Sequence, residues 1–109
     1  MRVAVLGGPD GLIEGGRRLG AGTELAVAFF TRRGDLERRW PQLTPKMTPS
    51  GAIWVAWPKR ASGLPSDITD NVVREVVLPT GWVDTKVCAI DDTWSGLKCV
   101  LRVELRPRS

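Results

Sequence analysis

The sequence predicts a small α/β domain: one sheet of about five strands, mostly parallel, carrying three helices and ending in an antiparallel hairpin. Three observations predict it. Two runs, Leu25 to Phe30 (LAVAFF) and Ala52 to Trp57 (AIWVAW), hold no polar residue. A strand reads as a continuous apolar run when both its faces are buried, which is the habit of parallel sheets. Segments with helical spacing separate these runs, and the C-terminal quarter switches to a period of two, the mark of half-exposed strands. With 109 residues, the chain is expected to form a single domain over 1–109.

The elements follow in order. Arg2 to Leu6 is a short apolar run that stops at Gly7-Gly8-Pro9-Asp10-Gly11, a turn cluster. Leu12, Ile13, Gly16 and Leu19 recur at helical spacing, with Gly20 as the stop. Gly15 and Gly16 weaken that helix by about 1 kcal/mol each relative to Ala. After LAVAFF, Thr31 can cap a second helix, expected over 32–43. Leu36, Trp40, Leu43 and Met47 fall on one face of it, and Pro41 must kink or split it because proline has no N–H to donate. AIWVAW is the third strand and Pro58 to Pro65 a polar loop. Asp67 suits the N-cap of a third helix, with Asp70 in its first turn and Val72, Val73, Val76 and Val77 as its apolar stripe. Pro79 and Gly81 end it. Val83 to Ile90 and Leu97 to Leu105 alternate as two strands joined by Asp91 to Gly96. The order β-α-β-α-β-α-β-β implies a parallel sheet with right-handed crossovers, the last strand returning antiparallel.

Composition excludes several chemistries. The chain has no His and no Tyr, which removes the commonest general base and metal ligand. With Cys88 and Cys99 as the only cysteines, zinc fingers, zinc deaminases and Ser–His–Asp hydrolases are out. Sixteen Lys and Arg against twelve Asp and Glu give +4, a mild bias towards anionic partners. The cations are spread without a polybasic arm, so nucleic acid is not an expected partner. The opening apolar run is too short for a signal peptide or a span, and a cytoplasmic protein without membrane contact is the simplest reading. Cys88 and Cys99 would face each other across a hairpin with four central residues, as two thiols rather than a disulfide in a reducing cytosol.

In an open parallel sheet, ligands sit beyond the carboxyl ends of the strands. Those ends supply Gly7, Gly8 and Asp10, then Arg32 and Arg33, then Lys59, Arg60 and Ser62. Arginine forks from two of these loops suit a phosphate or carboxylate; the alternative is ordinary solvated loop charge. No catalytic residue, cofactor or metal follows from these residues. Trp94, on a short turn beside Gly96, either folds back onto the end of the sheet or meets a partner. If the three parallel strands lie in sequence order, right-handed crossovers put every helix on one face and leave the other open and apolar. Phe30, Trp54 and Trp94 are then candidate interface residues, and a second copy of the chain can cover them as a C₂ homodimer. The competing arrangement has the strand order reverse once, so that the first helix covers that face.

Trp57-Pro58-Lys59, Val87-Cys88-Ala89 and Thr93-Trp94-Ser95-Gly96-Leu97-Lys98 carry a resemblance. The chain resembles a group of small bacterial domains, common in actinobacteria, whose function is uncharacterised. The strand order also looks like the second half of a class I methyltransferase fold. It departs from that pattern at the first turn, where no spaced glycine loop follows an acidic residue, and between Gly20 and Leu25, which leaves no room for a further strand. The resulting expectation is a minimal Rossmann-like domain of two or three layers, acting as a non-catalytic, self-associating binding or protein-interaction module. The alternative is a protein that binds an anionic or nucleotide-like small molecule, or a degenerate methyltransferase-like enzyme.

Overall fold

The structure, a computed structural model, describes residues 3–6 and 22–105. Its strands are β1 Val3–Leu6, β2 Thr23–Phe29, β3 Met47–Pro58, β4 Trp82–Ala89 and β5 Trp94–Leu101. They form one sheet in the order β1-β2-β3-β5-β4. Two helices, α1 Arg33–Leu43 and α2 Asp70–Val77, follow β2 and β3. The helix expected over Leu12 to Leu19 lies outside the described residues, as does the Gly7 to Gly11 turn.

The expectation of a mostly parallel sheet with three helices is corrected. The described residues hold two α-helices, and the sheet is mixed: β1 and β2 pair parallel, as do β2 and β3, but β5 is antiparallel to both β3 and β4. The reason is that β5 turns back from β4 and inserts between it and β3. Period-two alternation identifies a hairpin but not which arm lies inside. Here β5 is the inner arm, with Gly96, Leu97 and Cys99 buried, and β4 is an edge strand on which Val87 stays 51% exposed.

The strands β1, β2 and β3 lie in sequence order with no reversal. Both described helices pack on one face. Ala26 and Ala28 of β2, Ile53, Val55 and Trp57 of β3, and Leu97 and Cys99 of β5 meet Leu36, Trp40 and Leu43 of α1 and Val73 and Val77 of α2. Full burial of a Leu or Val side chain contributes about 1.5–3 kcal/mol, and Leu36, Leu43 and Val73 are all fully buried here. Trp40 packs edge-on against Trp82 with ring centroids 5.6 Å apart, and its indole N–H donates to Thr80 Oγ1 at 2.9 Å. The other face carries a smaller cluster built from Val27, Phe29, Ala56 and Trp94, with Val5, Trp54 and Ile90 against it.

Three local expectations also change. Pro41 sits in the last turn of α1, and the chain then tightens into a 3₁₀ turn over Thr44–Lys46. Met47 therefore leaves the helical stripe and opens β3, still buried. Asp67 is not the cap of α2, which starts at Asp70 with Thr69 accepting from the Val72 N–H at 3.3 Å. Instead the Asp67 carboxylate accepts from the Arg33 N–H at 2.6 Å and caps α1. Finally, the register sets Cys88 opposite Gly96 and Cys99 opposite Asp84, so the cysteines do not face each other and both are free thiols. A bulge between Asp84 and Lys86 shifts the ladder. No helix among the described residues is long and apolar enough to cross a membrane.

Candidate functional site

The carboxyl ends of β1 and β2 open into a cleft of about 620 Å³. Its apolar lining is Leu6 from β1, Phe29 and Phe30 at the end of β2, and Trp94 at the start of β5. Phe29 and Trp94 meet edge to face at 5.0 Å, and Trp94 is 7% exposed. Trp94 has thus folded back onto the sheet. Its position is fixed by the tip of the β4–β5 connection: Asp91 Oδ1 accepts from the Thr93 and Trp94 N–H groups at 2.8 and 2.7 Å, and the Ile90 N–H donates to the Trp94 carbonyl at 2.8 Å.

One wall of the cleft belongs to α1. Asp35, Arg38, Arg39 and Gln42 line it, at the i, i+3, i+4 and i+7 spacing that puts residues on one helix face. Asp35 and Arg38 form an ion pair. Arg39 has no acidic partner among the described residues. The cleft therefore combines an aromatic floor with one guanidinium held by a carboxylate and one left open. An unpaired arginine fork can take a phosphate or carboxylate through two parallel hydrogen bonds.

The residues singled out from sequence divide among several places. Gly7, Gly8 and Asp10 lie outside the described residues. Arg33 is turned away from the strand ends: it donates to Glu75 of α2 at 2.7 Å and lies 3.5 Å from Glu37, and the hydrogen bond to Glu75 is the main reason its pKa is raised. Arg32 lines a shallow depression of about 200 Å³ against Ser66 and Asp67. Lys59 and Arg60 line another, of about 290 Å³, on the other side of the same Ser66–Asp67 segment. Ser62 closes its own turn, donating to the Lys59 carbonyl at 2.6 Å and accepting from the Leu64 N–H at 3.2 Å. Its hydroxyl is bonded to a backbone oxygen and not to the Lys59 amine. Of the proposed interface residues, Phe30 belongs to the helix-side core, whereas Trp54 and Trp94 lie on the opposite face.

Sequence reasoning missed the α1 wall. Asp35, Arg38, Arg39 and Gln42 read as the solvated face of an amphipathic helix. The available signal was position, because this polar stripe starts one turn after the carboxyl end of a doubly buried strand.

No family model and no curated protein matches this chain. Among solved structures, the ribosomal protein L11 methylase of Lactobacillus delbrueckii subsp. bulgaricus matches 77% of this chain with a TM-score of 0.55 at 13% identity. The match covers 39% of that protein, so this chain spans well under half its length. The shared feature is a methyltransferase-like α/β fold. The likeness to an actinobacterial family read from the Trp57-Pro58-Lys59 and Thr93 to Lys98 pieces gains no support from these comparisons, whereas the methyltransferase-like fold read from the strand order does.

Proposed function

We propose that this chain is a small-molecule-binding domain that takes an anionic ligand with a flat apolar portion in the cleft at the carboxyl ends of β1 and β2. The observation that carries the reading is the unpaired Arg39 beside the Phe29–Trp94 pair. The flat portion lies against the aromatic floor and the anionic group against the Arg39 fork, while Arg38 must first give up Asp35. A methyltransferase-like sheet supports the reading, since open α/β sheets bind ligands beyond their strand ends. The proposal concerns binding and assigns no reaction.

A thermal-shift screen with nucleotides, sulfonium compounds and acyl phosphates tests it. A ligand at one hundred times its Kd stabilises by about 2.7 kcal/mol, a rise in Tm of roughly 10 °C for a domain of this size. Arg39→Ala should abolish most of that rise. No stabilisation by any compound, or one that Arg39→Ala leaves intact, refutes the reading. The rival is a self-associating interaction module, with a second copy on the face opposite the two described helices. Size exclusion with light scattering tests it, and a stable monomer at micromolar concentration removes it.

A further inference from the structure

The face opposite the two described helices carries a second arrangement, next to the cleft whose Phe29 and Trp94 belong to the same cluster. The register places Val5, Val27, Trp54, Lys98 and Lys86 in one row across β1, β2, β3, β5 and β4. Directly paired residues share a face, and Val5, Val27 and Trp54 belong to the cluster opposite the described helices, so both lysines rise from that face. Lys86 and Lys98 are direct cross-strand partners, and like charges placed so are destabilising. Neither has an ion-pair partner among the described residues. The rows on either side offer no acid: one holds Leu25, Ala52, Val100 and Val83, the other Phe29, Ala56, Gly96 and Cys88. Asp84, the acid of β4, is turned to Arg74 of α2 at 3.0 Å.

Trp54 completes the arrangement. It is half-buried, whereas Trp40, Trp57, Trp82 and Trp94 are buried. A Cβ added at Gly96 would lie 3.1 Å from Trp54 Cε3, so the indole leans over β5 and is neighbour to Lys98. A partly exposed indole with two uncompensated cations in line beyond it on an apolar sheet is complementary to a chain that alternates flat bases with phosphates.

We infer that this face binds single-stranded nucleic acid, with a base stacked on Trp54 and the adjoining phosphates against Lys98 and Lys86. A purely acidic peptide, such as polyaspartate, supplies anions but no flat group for the indole. A second copy of the chain whose twofold axis passed through this row would set another Lys86–Lys98 pair against the first, adding like charge to the interface.

The full chain is titrated with a dodecamer of uridylate, read by indole fluorescence and by anisotropy of the labelled oligonucleotide. Binding should quench the fluorescence, and log Kobs should fall with log[salt] at a slope of about −1.4, the value for two phosphate contacts on a single strand. Lys86→Gln with Lys98→Gln should remove that slope and weaken binding at least about tenfold at low salt. Trp54→Leu should weaken it by roughly 5- to 150-fold, the range for loss of one stacked base, and Trp54→Phe should restore most of it. If Trp54→Leu does not fold, the double lysine variant, altered only at surface side chains, decides. No binding at about 50 mM salt, or binding indifferent to the lysine variant, overturns the inference. So does polyaspartate binding as tightly as the oligonucleotide, which points to an acidic protein partner, or a dimer that protects Trp54 from quenching.

Discussion

Helix α1 begins without a cap of its own. Arg32 occupies the N-cap position and its side chain accepts no hydrogen bond. The acceptor comes from 34 residues away, where Asp67 Oδ1 takes the Arg33 N–H at 2.6 Å. The Asp67 N–H in turn donates to the Thr31 carbonyl at 3.3 Å. Asp67→Ala removes the carboxylate and leaves that backbone bond in place. Losing an N-cap costs about 1 kcal/mol, and losing a carboxylate at a helix start adds about 0.3 kcal/mol at an exposed site such as this. The expected loss is therefore about 1.3 kcal/mol. With a urea m-value of about 2 kcal/mol/M, the midpoint should fall by roughly 0.6 M at unchanged m. Asp67→Asn keeps an acceptor oxygen and should lose less than about half as much. A loss below about 0.3 kcal/mol in the Ala variant refutes the cap. Equal losses in Asn and Ala would instead assign the effect to the charge.

Three further outcomes follow from the core. Burial pushes the Cys99 thiol up to about 12, with Asp84 adding to the rise and Arg74 opposing it, whereas an unfolded cysteine titrates near about 8.5. The folded state holds its proton longer, so this stability is full below about pH 8.5 and is lost as pH rises, by up to about 1.4 kcal/mol per unit. Urea unfolding above that pH should show a shallower decline for Cys99→Ala than for the parent protein, and equal slopes refute the assignment. Gly81 has φ of 92°, a conformation that costs a residue with a Cβ roughly 1–2 kcal/mol; Gly81→Ala should destabilise by that amount even when Leu105→Ala removes the nearby side chain, and full recovery in the double variant argues for crowding instead. Trp40→Phe gives up both the hydrogen bond to Thr80 and part of the contact with Trp82. Calorimetry should show a loss of about 1–3 kcal/mol, and a change within about 0.3 kcal/mol would deny that contact its role.

Much of the fold was legible where one pattern admits one structure. LAVAFF and AIWVAW are central strands, and their alternate residues fall on the two faces as the period of two requires. Leu36, Trp40 and Leu43 mark the buried stripe of a helix that ends at Leu43. What failed depended on contacts between distant segments. Asp67 has the right chemistry for a cap, but sequence spacing could not reveal that the helix it caps is α1. Trp82 to Leu101 reads as two equivalent arms, and only the three-dimensional register makes one inner and one outer. For the candidate site, the strand ends pointed to the end of the sheet where the cleft lined by Leu6, Phe29 and Trp94 lies. Arg33 is paired with Glu75, and a partner 42 positions away leaves no local signal in the sequence. Arg39 was overlooked because an unpaired helical arginine has no mark in the sequence.

The insertion of β5 has a consequence for how the chain is made. Because β3 and β4 are not neighbours, α2 and β4 leave the ribosome before any strand exists for β4 to pair with. Until Trp94 to Leu101 arrives, the AIWVAW edge of β3 stands open. Such a segment, apolar, uncharged and free of proline, is the kind that recruits a stranger's strand. A stall or a cut after Ala89 therefore does more than delete a strand: it removes the chaperone-like cover that the chain provides for its own most adhesive edge.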